Sequence, residues 1–442
     1  MNHPMDPRRV GVDVSTSWGR LEYAGWMDEQ MSWKEACYIG DWSWLDEFHV
    51  EGPDALKFFS DFTVNNLAKF DIGQAKHAIF CSLAGKVIGE GVLMRLGEQE
   101  FEFMSRGPVA SWLEFKFRQG GYRGEAGSRI TKTKFQVSGP NALAVLEKVT
   151  GESLRDIGFM RFRTARIAGH DVAFLRQGMA GEVGFELHGD NRHARQIFDT
   201  VLELGREFGI QRLGTRTAMV NHLEAGFPTI THDYLPAITG AAEQDFFDAY
   251  NVEAPLDGSP EWFRSFQRCT KVKGSFDAPD ISAWYRSPLE LGWSRNVKFD
   301  HDFWGREALE AEFADPKRTI VSLVWNPDDV LDIYASLFRE GGEPYDFMDL
   351  PRHQWFCMFA HQVVQGERPV GVATSRGYSV YFRKMLSHCV IELALAVPGT
   401  EVEVIWGDPG HPQRRIRATV ARYPYKKDNR RADLGALPNG RG

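Results

Sequence analysis

At 442 residues the chain is long enough for roughly three domains. Its 43% hydrophobic and 25% charged residues are those of an ordinary folded protein, which excludes a disordered chain, a collagen or a coiled-coil rod. The net charge of −8 offers no overall attraction for nucleic acid or an anionic membrane.

From the start, MNHPMDPRRVGVDVSTSW lacks the apolar core of a secretory signal, and no later run approaches bilayer length. Phe48-His49-Val50-Glu51-Gly52-Pro53-Asp54-Ala55-Leu56 predicts a strand, a Gly-Pro turn and a helix start, with Asp54 as a cap. The phrase returns 87 residues later as Phe135 to Leu143, with Asn141 in the capping place, so two related α+β units are expected. Ser82 to Met94 predicts a hairpin turning at Ala84-Gly85-Lys86, and Gln196 to Phe208 an amphipathic helix. From Thr231 to Tyr285 periodicity weakens, as in a loop that closes over something. Runs such as Thr319–Trp325 and Val390–Val397 predict a β-rich C-terminal module, and the basic stretch from His411 to Gly442 a solvated strand and frayed tail. The five cysteines are dispersed and form no CxxC pair, which implies neither a disulfide framework nor a zinc site and places the chain in a reducing cytoplasm. Aromatic content of 13% is ample for core packing and for walls around a flat ligand.

Portable catalytic motifs are missing: there is no GxxxxGK[ST], strand-linked GxGxxG, HExxH or GxSxG. His301, between Asp300 and Asp302, reads as a surface turn, because strand alternation would set it opposite the two aspartates. No metal is expected. Three glycine-punctuated segments stand out: Gly40 to Trp44, Arg176 to Glu186, and Leu213 to Phe227. In the second, three glycines allow a tight course that delivers Glu186 to a strand start. A carboxylate there needs a partner, and a planar group with two adjacent N–H donors fits both oxygens. Each segment is also compatible with a plain turn carrying a solvent-facing charge.

In order, with Pro288 to Trp293, Phe303 to Leu309 and Gly371 to Ser379, these segments resemble the aminomethyltransferase (glycine cleavage T-protein) family. That family's pattern runs D-x-S-H, GP-x-A, G-E-x-G-[FY]-E, R…LEAG, P-x-E-x-G, F-[IW]-G-[KR] and G-x-x-TS-x-x-[FY]-S. Gly178 to Gly181, Lys298 to Phe303 and Asp332 to Phe338 are most similar to the tetrahydrofolate-dependent aryl O-demethylases, such as those acting on vanillate and syringate. The resemblance implies an α+β fold: three domains in a cloverleaf around a central folate channel, the last a β-barrel-like domain. The expected division is residues 1–50 with 132–230, 51–131 with about 231–285, then 286–425, followed by a flexible tail over 426–442.

The resemblance also implies site residues. Glu186 would grip the pterin, with Gly181 and Gly184 shaping its loop and Arg216 and Phe227 beside the folate. Arg106 would bind an aromatic acid's carboxylate through two parallel hydrogen bonds. Departures are informative. The D-x-S-H histidine is Trp44; the T-protein's paired aspartates are Gly89-Glu90, which argues against glycine cleavage itself. The vanillate enzyme's second tyrosine is Ala218 and its N-terminal one falls near Thr16, leaving Tyr23 nearby. A leaving phenolate needs a donor, so His222, His232, Tyr234 and Trp44 are the candidates. The expectation is methyl transfer from a methoxylated aromatic, with an acid held by Arg106, to tetrahydrofolate. The alternatives are methylene transfer from a methylenedioxyphenyl compound, or a non-catalytic folate-binding protein, although none of the cysteines sits in the K-G-C-Y motif of such relatives.

Overall fold

The computed structural model describes residues 20–129, 131–250, 272–353 and 358–437. Helix α1 (Trp26–Glu35) leads into the buried strand β1 (Cys37–Asp41). Then come β2 (Asp46–Glu51), α2 (Ala55–Phe62), β3 (Ala75–Cys81), β4 (Val87–Arg95), β5 (Glu100–Ser105), α3 (Val109–Gln119) and β6 (Glu125–Arg129). Strands β2 to β6 make a five-stranded antiparallel sheet in the order β3-β4-β5-β2-β6. The chain returns through β7 (Lys132–Ser138), α4 (Ala142–Thr150), β8 (Phe162–Ile167), β9 (His170–Leu175), β10 (Gly184–Asp190), α5 (Ala194–Leu204), β11 (Ile210–Arg212) and α6 (Thr215–Ala225). With β1 these strands form a six-stranded sheet, β11-β1-β7-β10-β9-β8.

After α7 (Gln244–Tyr250), β12 (Val272–Lys273) and α8 (Arg306–Ala314) comes β13 (Arg318–Trp325), followed by α9 (Pro327–Ser336). Strand β14 (Met358–Phe359) pairs with β12. Strands β15 (His361–Gln365), β16 (Arg368–Ser379), β17 (Lys384–Glu392), β18 (Glu401–Trp406) and β19 (Arg414–Ala421) close a barrel with β13. The fold is α+β with a C-terminal β-barrel.

The phenylalanines concentrate under the five-stranded sheet, where Phe48, Phe58, Phe59, Phe62, Phe101 and Phe117 pack with Trp112. Gly52 and Gly139, the paired Gly-Pro positions, have φ of 142° and 137°. A Cβ on either would sit 2.4 Å from Gly124 Cα or 2.6 Å from Ala36 O, so both copies of the turn need glycine.

Four expectations are corrected. Asp54 and Asn141 cap nothing with their side chains: Asp54 takes Arg123, and Asn141 Nδ2 donates to Phe208 O at 2.8 Å. Residues 46–50 belong to the five-stranded sheet, because the chain leaves β1 at Asp41 and crosses over through 42–45. The predicted helix over 196–208 stops at Leu204 and continues as a short 3₁₀ turn closed by Gly209 at φ 74°. The tail is ordered over 426–437: Leu434 is buried in the core of the six-stranded sheet, and Arg155 Nη1 donates to the carbonyls of Leu434 and Leu437. One apolar side chain finding a core outweighs the polar sequence around it. Within the weakly periodic stretch from Thr231, residues 251–271 lie outside the described residues, as do Thr16 and Trp18.

Candidate active site

Glu186 sits near the start of β10, in register with Gln136 of β7. A Cβ at Gly184 would lie 2.7 Å from Ser138 Oγ, and one at Gly178 would lie 2.7 Å from Glu182 O, so the approach loop requires both glycines. Glu186 Oε1 accepts from Gln177 Nε2 at 3.0 Å and Gln136 Nε2 at 3.5 Å, while Oε2 lies 3.4 Å from His188 Nε2. The carboxylate is aimed yet 18% exposed, open to a further donor. Tyr38 donates to Gln136 Oε1 and accepts from Asn221 Nδ2 at 3.2 Å, which ties this cradle to α6. Burial, then the Glu186 charge, pushes the Tyr38 hydroxyl far up, so it remains a donor. Gly181, at φ 68°, accepts at its carbonyl from Lys426 Nζ and the Asn429 amide, both at 2.9 Å.

A second group gathers one residue further along α6. Arg106, in the turn between β5 and α3, places its guanidinium 5.4 Å from the Trp44 ring centroid. It lies deep in the protein and is still partly accessible, and among the described residues no carboxylate or hydrogen-bond acceptor meets it. Desolvation lowers it to about 10, which leaves it charged at neutral pH. Tyr234 is fully buried with its hydroxyl unpartnered; burial, then Glu90 and Asp233, raises its pKa well above the usual value. His222 Nδ1 lies 3.3 Å from Thr229 Oγ1 and Nε2 has no partner. Burial, then the Arg352 charge, holds it down at about 3. His232 Nδ1 is 3.4 Å from Arg352 Nη2. Thus Trp44, Arg106, His222, His232 and Tyr234 converge.

Other expected residues do not join them. Tyr23 packs under Arg212, 4.4 Å from the ring centroid, and burial raises its hydroxyl. Arg216 already engages Glu22 Oε1 at 2.6 Å and donates to Leu350 O at 2.7 and 3.0 Å, so its guanidinium joins α6 to the barrel domain before any ligand arrives. Phe227 lies between the His222 ring, 6.0 Å away, and Arg430, 4.5 Å above it. His301 Nε2 lies 3.1 Å from Thr63 O. At Gly89 a Cβ would come within 2.6 Å of Val109 Cβ, so no aspartate stands there without moving α3, and Glu90 Oε2 instead meets His77 Nε2 at 2.8 Å.

The remaining motif residues fasten the parts together. Glu224 of the LEAG segment is buried between Lys34 Nζ at 2.7 Å, Trp33 Nε1 at 3.0 Å and Ser379 Oγ at 2.5 Å. Asp233 accepts from His388 Nδ1 at 3.0 Å, Thr374 Oγ1 at 2.7 Å and the Thr229 amide at 2.8 Å, while His388 Nε2 faces Leu223 O at 3.2 Å. Burial alone would raise Asp233, but His388 and these donors hold it below the usual carboxylate range. Sequence reasoning missed Tyr38, Gln136, Asp233, His388 and Arg352. Only Asp233, between the candidates His232 and Tyr234, carried a local signal.

A partly exposed carboxylate held by two glutamines, and a separate group of cationic, aromatic and imidazole side chains around Arg106, are the kinds of partner that a planar N–H pair and a flat anion require. The class so defined is a tetrahydrofolate-dependent one-carbon transferase. The model for the GCVT N-terminal domain matches residues 15–244. Sesamin methylene transferase of Sinomonas sp. (strain No.22) is 36% identical over 95% of this chain and 93% of its own. Syringate O-demethylase of Sphingobium sp. (strain NBRC 103272 / SYK-6) is 31% identical over 91% and 89%. The glycine cleavage system aminomethyltransferase T from Bartonella henselae has the same fold, with a TM-score of 0.66, 19% identity and 92% of each chain covered. The chain belongs to the aminomethyltransferase family, with tetrahydrofolate as its coenzyme.

Proposed function

We propose that the protein transfers a methyl group from a methoxylated aromatic acid to N5 of tetrahydrofolate, giving the phenol and 5-methyltetrahydrofolate. The observation that carries the acid is Arg106: a charged guanidinium in a cavity with no acidic partner among the described residues. Glu186, steadied by Gln177 and Gln136, holds the pterin's amino group and ring N–H. Arg106 takes the carboxylate and Trp44 lies against the ring. Tetrahydrofolate supplies the nucleophilic nitrogen. The protein's contribution is to hold the methyl carbon in line between that nitrogen and the ether oxygen, and to present His222, His232 and Tyr234 to the oxygen as it gains charge. The buried free thiols of Cys37, Cys81 and Cys389 support placement in a reducing cytoplasm.

A second reading is methylene transfer from a methylenedioxyphenyl compound, giving 5,10-methylenetetrahydrofolate. It is favoured by the relative named for sesamin and by the Trp44 ring over Arg106, which shields the cation from a neutral guest. The test is incubation with tetrahydrofolate and a panel of methoxy- and methylenedioxy-aromatics, with the folate product identified by mass. 5-Methyltetrahydrofolate from methoxybenzoates is expected. Turnover of methylenedioxy compounds alone establishes the second reading, and tetrahydrofolate binding with no turnover favours a non-catalytic folate-binding role. Separately, Glu186→Ala is expected to weaken tetrahydrofolate binding about 10- to 100-fold by calorimetry. Unchanged affinity would place the pterin elsewhere.

A further inference from the structure

His232 and Arg352 come from different parts of the fold, the turn after α6 and the loop after α9, and meet at 3.4 Å, Nδ1 to Nη2. A guanidinium has five donors and no acceptor. Nδ1 must therefore be the accepting, unprotonated nitrogen, and the ring proton resides on Nε2, which meets no acceptor among the described residues. Around the ring stand Arg352 and His353 from the barrel loop, Arg106 from the β5–α3 turn and His222 from α6; Asp233, next in the chain, is turned away to His388 and Thr374.

We propose that Arg352 is a positioning residue that fixes His232 as the neutral Nε2–H tautomer, and that this N–H meets the negative charge developing on the departing oxygen. The inference rests on the one-carbon transfer proposed above, methyl or methylene. In the methyl case the ether carbon–oxygen bond breaks with its electron pair left on oxygen, the carbon passes to N5, and the proton released there balances the phenolate. His232 keeps its own proton throughout, as a hydrogen-bond donor and not as a general acid. Burial, then the charges of Arg352 and Arg106, holds His232 well below the ordinary imidazole value, so the donor is the same molecule across the neutral range. An imidazolium in its place would repel both arginines.

The experiment has two arms on the full-length protein. Nitrogen-15 spectra of histidine-labelled wild type, with the signal assigned by its loss in His232→Gln, should show an unprotonated Nδ1 and a protonated Nε2. A protonated Nδ1 overturns the proposal whatever the enzyme's substrate. In the second arm, substrates of graded leaving-group acidity are compared. Arg352→Met should lower kcat about 10- to 100-fold for poor leaving groups and less than about 3-fold for a nitro-activated one. It should also add a pH dependence between about 5 and 7 as the ring becomes titratable. Arg352→Lys, which keeps a donor, should recover part of the loss, and His232→Leu combined with Arg352→Met should be no worse than either alone. Equal slowing of every leaving group overturns the proposal. No turnover of any substrate by wild type overturns the functional reading instead, while the tautomer remains decided by the spectra. If Arg352→Met fails to fold, the wild-type spectrum and Arg352→Lys carry the test.

Discussion

Two buried polar groups share helix α6, and they are built on opposite principles. Around Glu224 the carboxylate's neighbours are complete: Lys34, Trp33 and Ser379 close on it from α1 and β16, and Lys34 also lies over the Phe382 ring at 4.5 Å. Two residues earlier, His222 Nε2 and the Tyr234 hydroxyl have no partner among the described residues, and Arg106 meets no acid among them. Desolvated polar atoms left without bonds are costly. In the reading proposed above, a ligand supplies the partners that His222 Nε2, the Tyr234 hydroxyl and Arg106 do not find among the described residues. The matched group holds α1, α6 and the barrel together; the other is the one proposed above to meet the substrate.

This contrast can be broken by substitution. The largest effect should come from the matched side: Glu224→Ala strands Lys34 in the interior and is expected to cost about 3–5 kcal/mol in denaturant unfolding. A loss under about 1 kcal/mol would mean that Lys34 escapes to solvent. On the unmatched side, Arg106→Ala should leave stability unchanged or improved, yet raise KM for an acidic substrate about 100-fold while a neutral analogue shifts only slightly. Equal effects on both would remove Arg106 from the substrate pocket.

Acidity sharpens the same point more gently. His222 and His361 are held by burial at about 3 and about 4, below their unfolded values. The unfolded chain therefore binds more protons, so their contribution is complete above about pH 6.5 and is lost as pH falls, by about 1.4 kcal/mol per pH unit for each ring. His361 stacks on Trp406 within the barrel, 4.7 Å between centroids, so His361→Phe should make the fall of stability below pH 6.5 shallower by one such increment. An unchanged slope would assign the acid sensitivity to other groups. Smallest is Tyr234→Phe, which removes a hydroxyl that bonds to nothing: stability should stay within about 0.5 kcal/mol while kcat falls about 10-fold. A clear loss of stability would show that the hydroxyl has a partner in solution.

Glu186 stood out in the sequence because three glycines punctuate the segment before it, whereas Arg106 was singled out only by the family resemblance. Alternation and the repeated Gly-Pro phrase pointed to α+β units and a β-rich C-terminal module, whereas the barrel came from the family resemblance. Arg352, His388 and Tyr38 were not legible, since each acquires meaning only from distant partners, 98 residues away for Tyr38 and Gln136 and 120 for Arg352 and His232. Tyr23, named for lying near a family tyrosine's position, and Arg216, matched to the family's own arginine, show the converse: Arg212 packs on the first, and Glu22 and Leu350 engage the second.

The segment after the barrel has a consequence for biosynthesis. Lys426 and Asn429 clasp Gly181 and Glu182 across 245 and 247 residues of chain, just ahead of the strand that carries Glu186. On the ribosome that loop stays unfastened until the last strand and the stretch beyond it have emerged. Nascent chains released before then would carry Gln136, Gln177 and Glu186 and still lack the contacts that fasten the loop ahead of them.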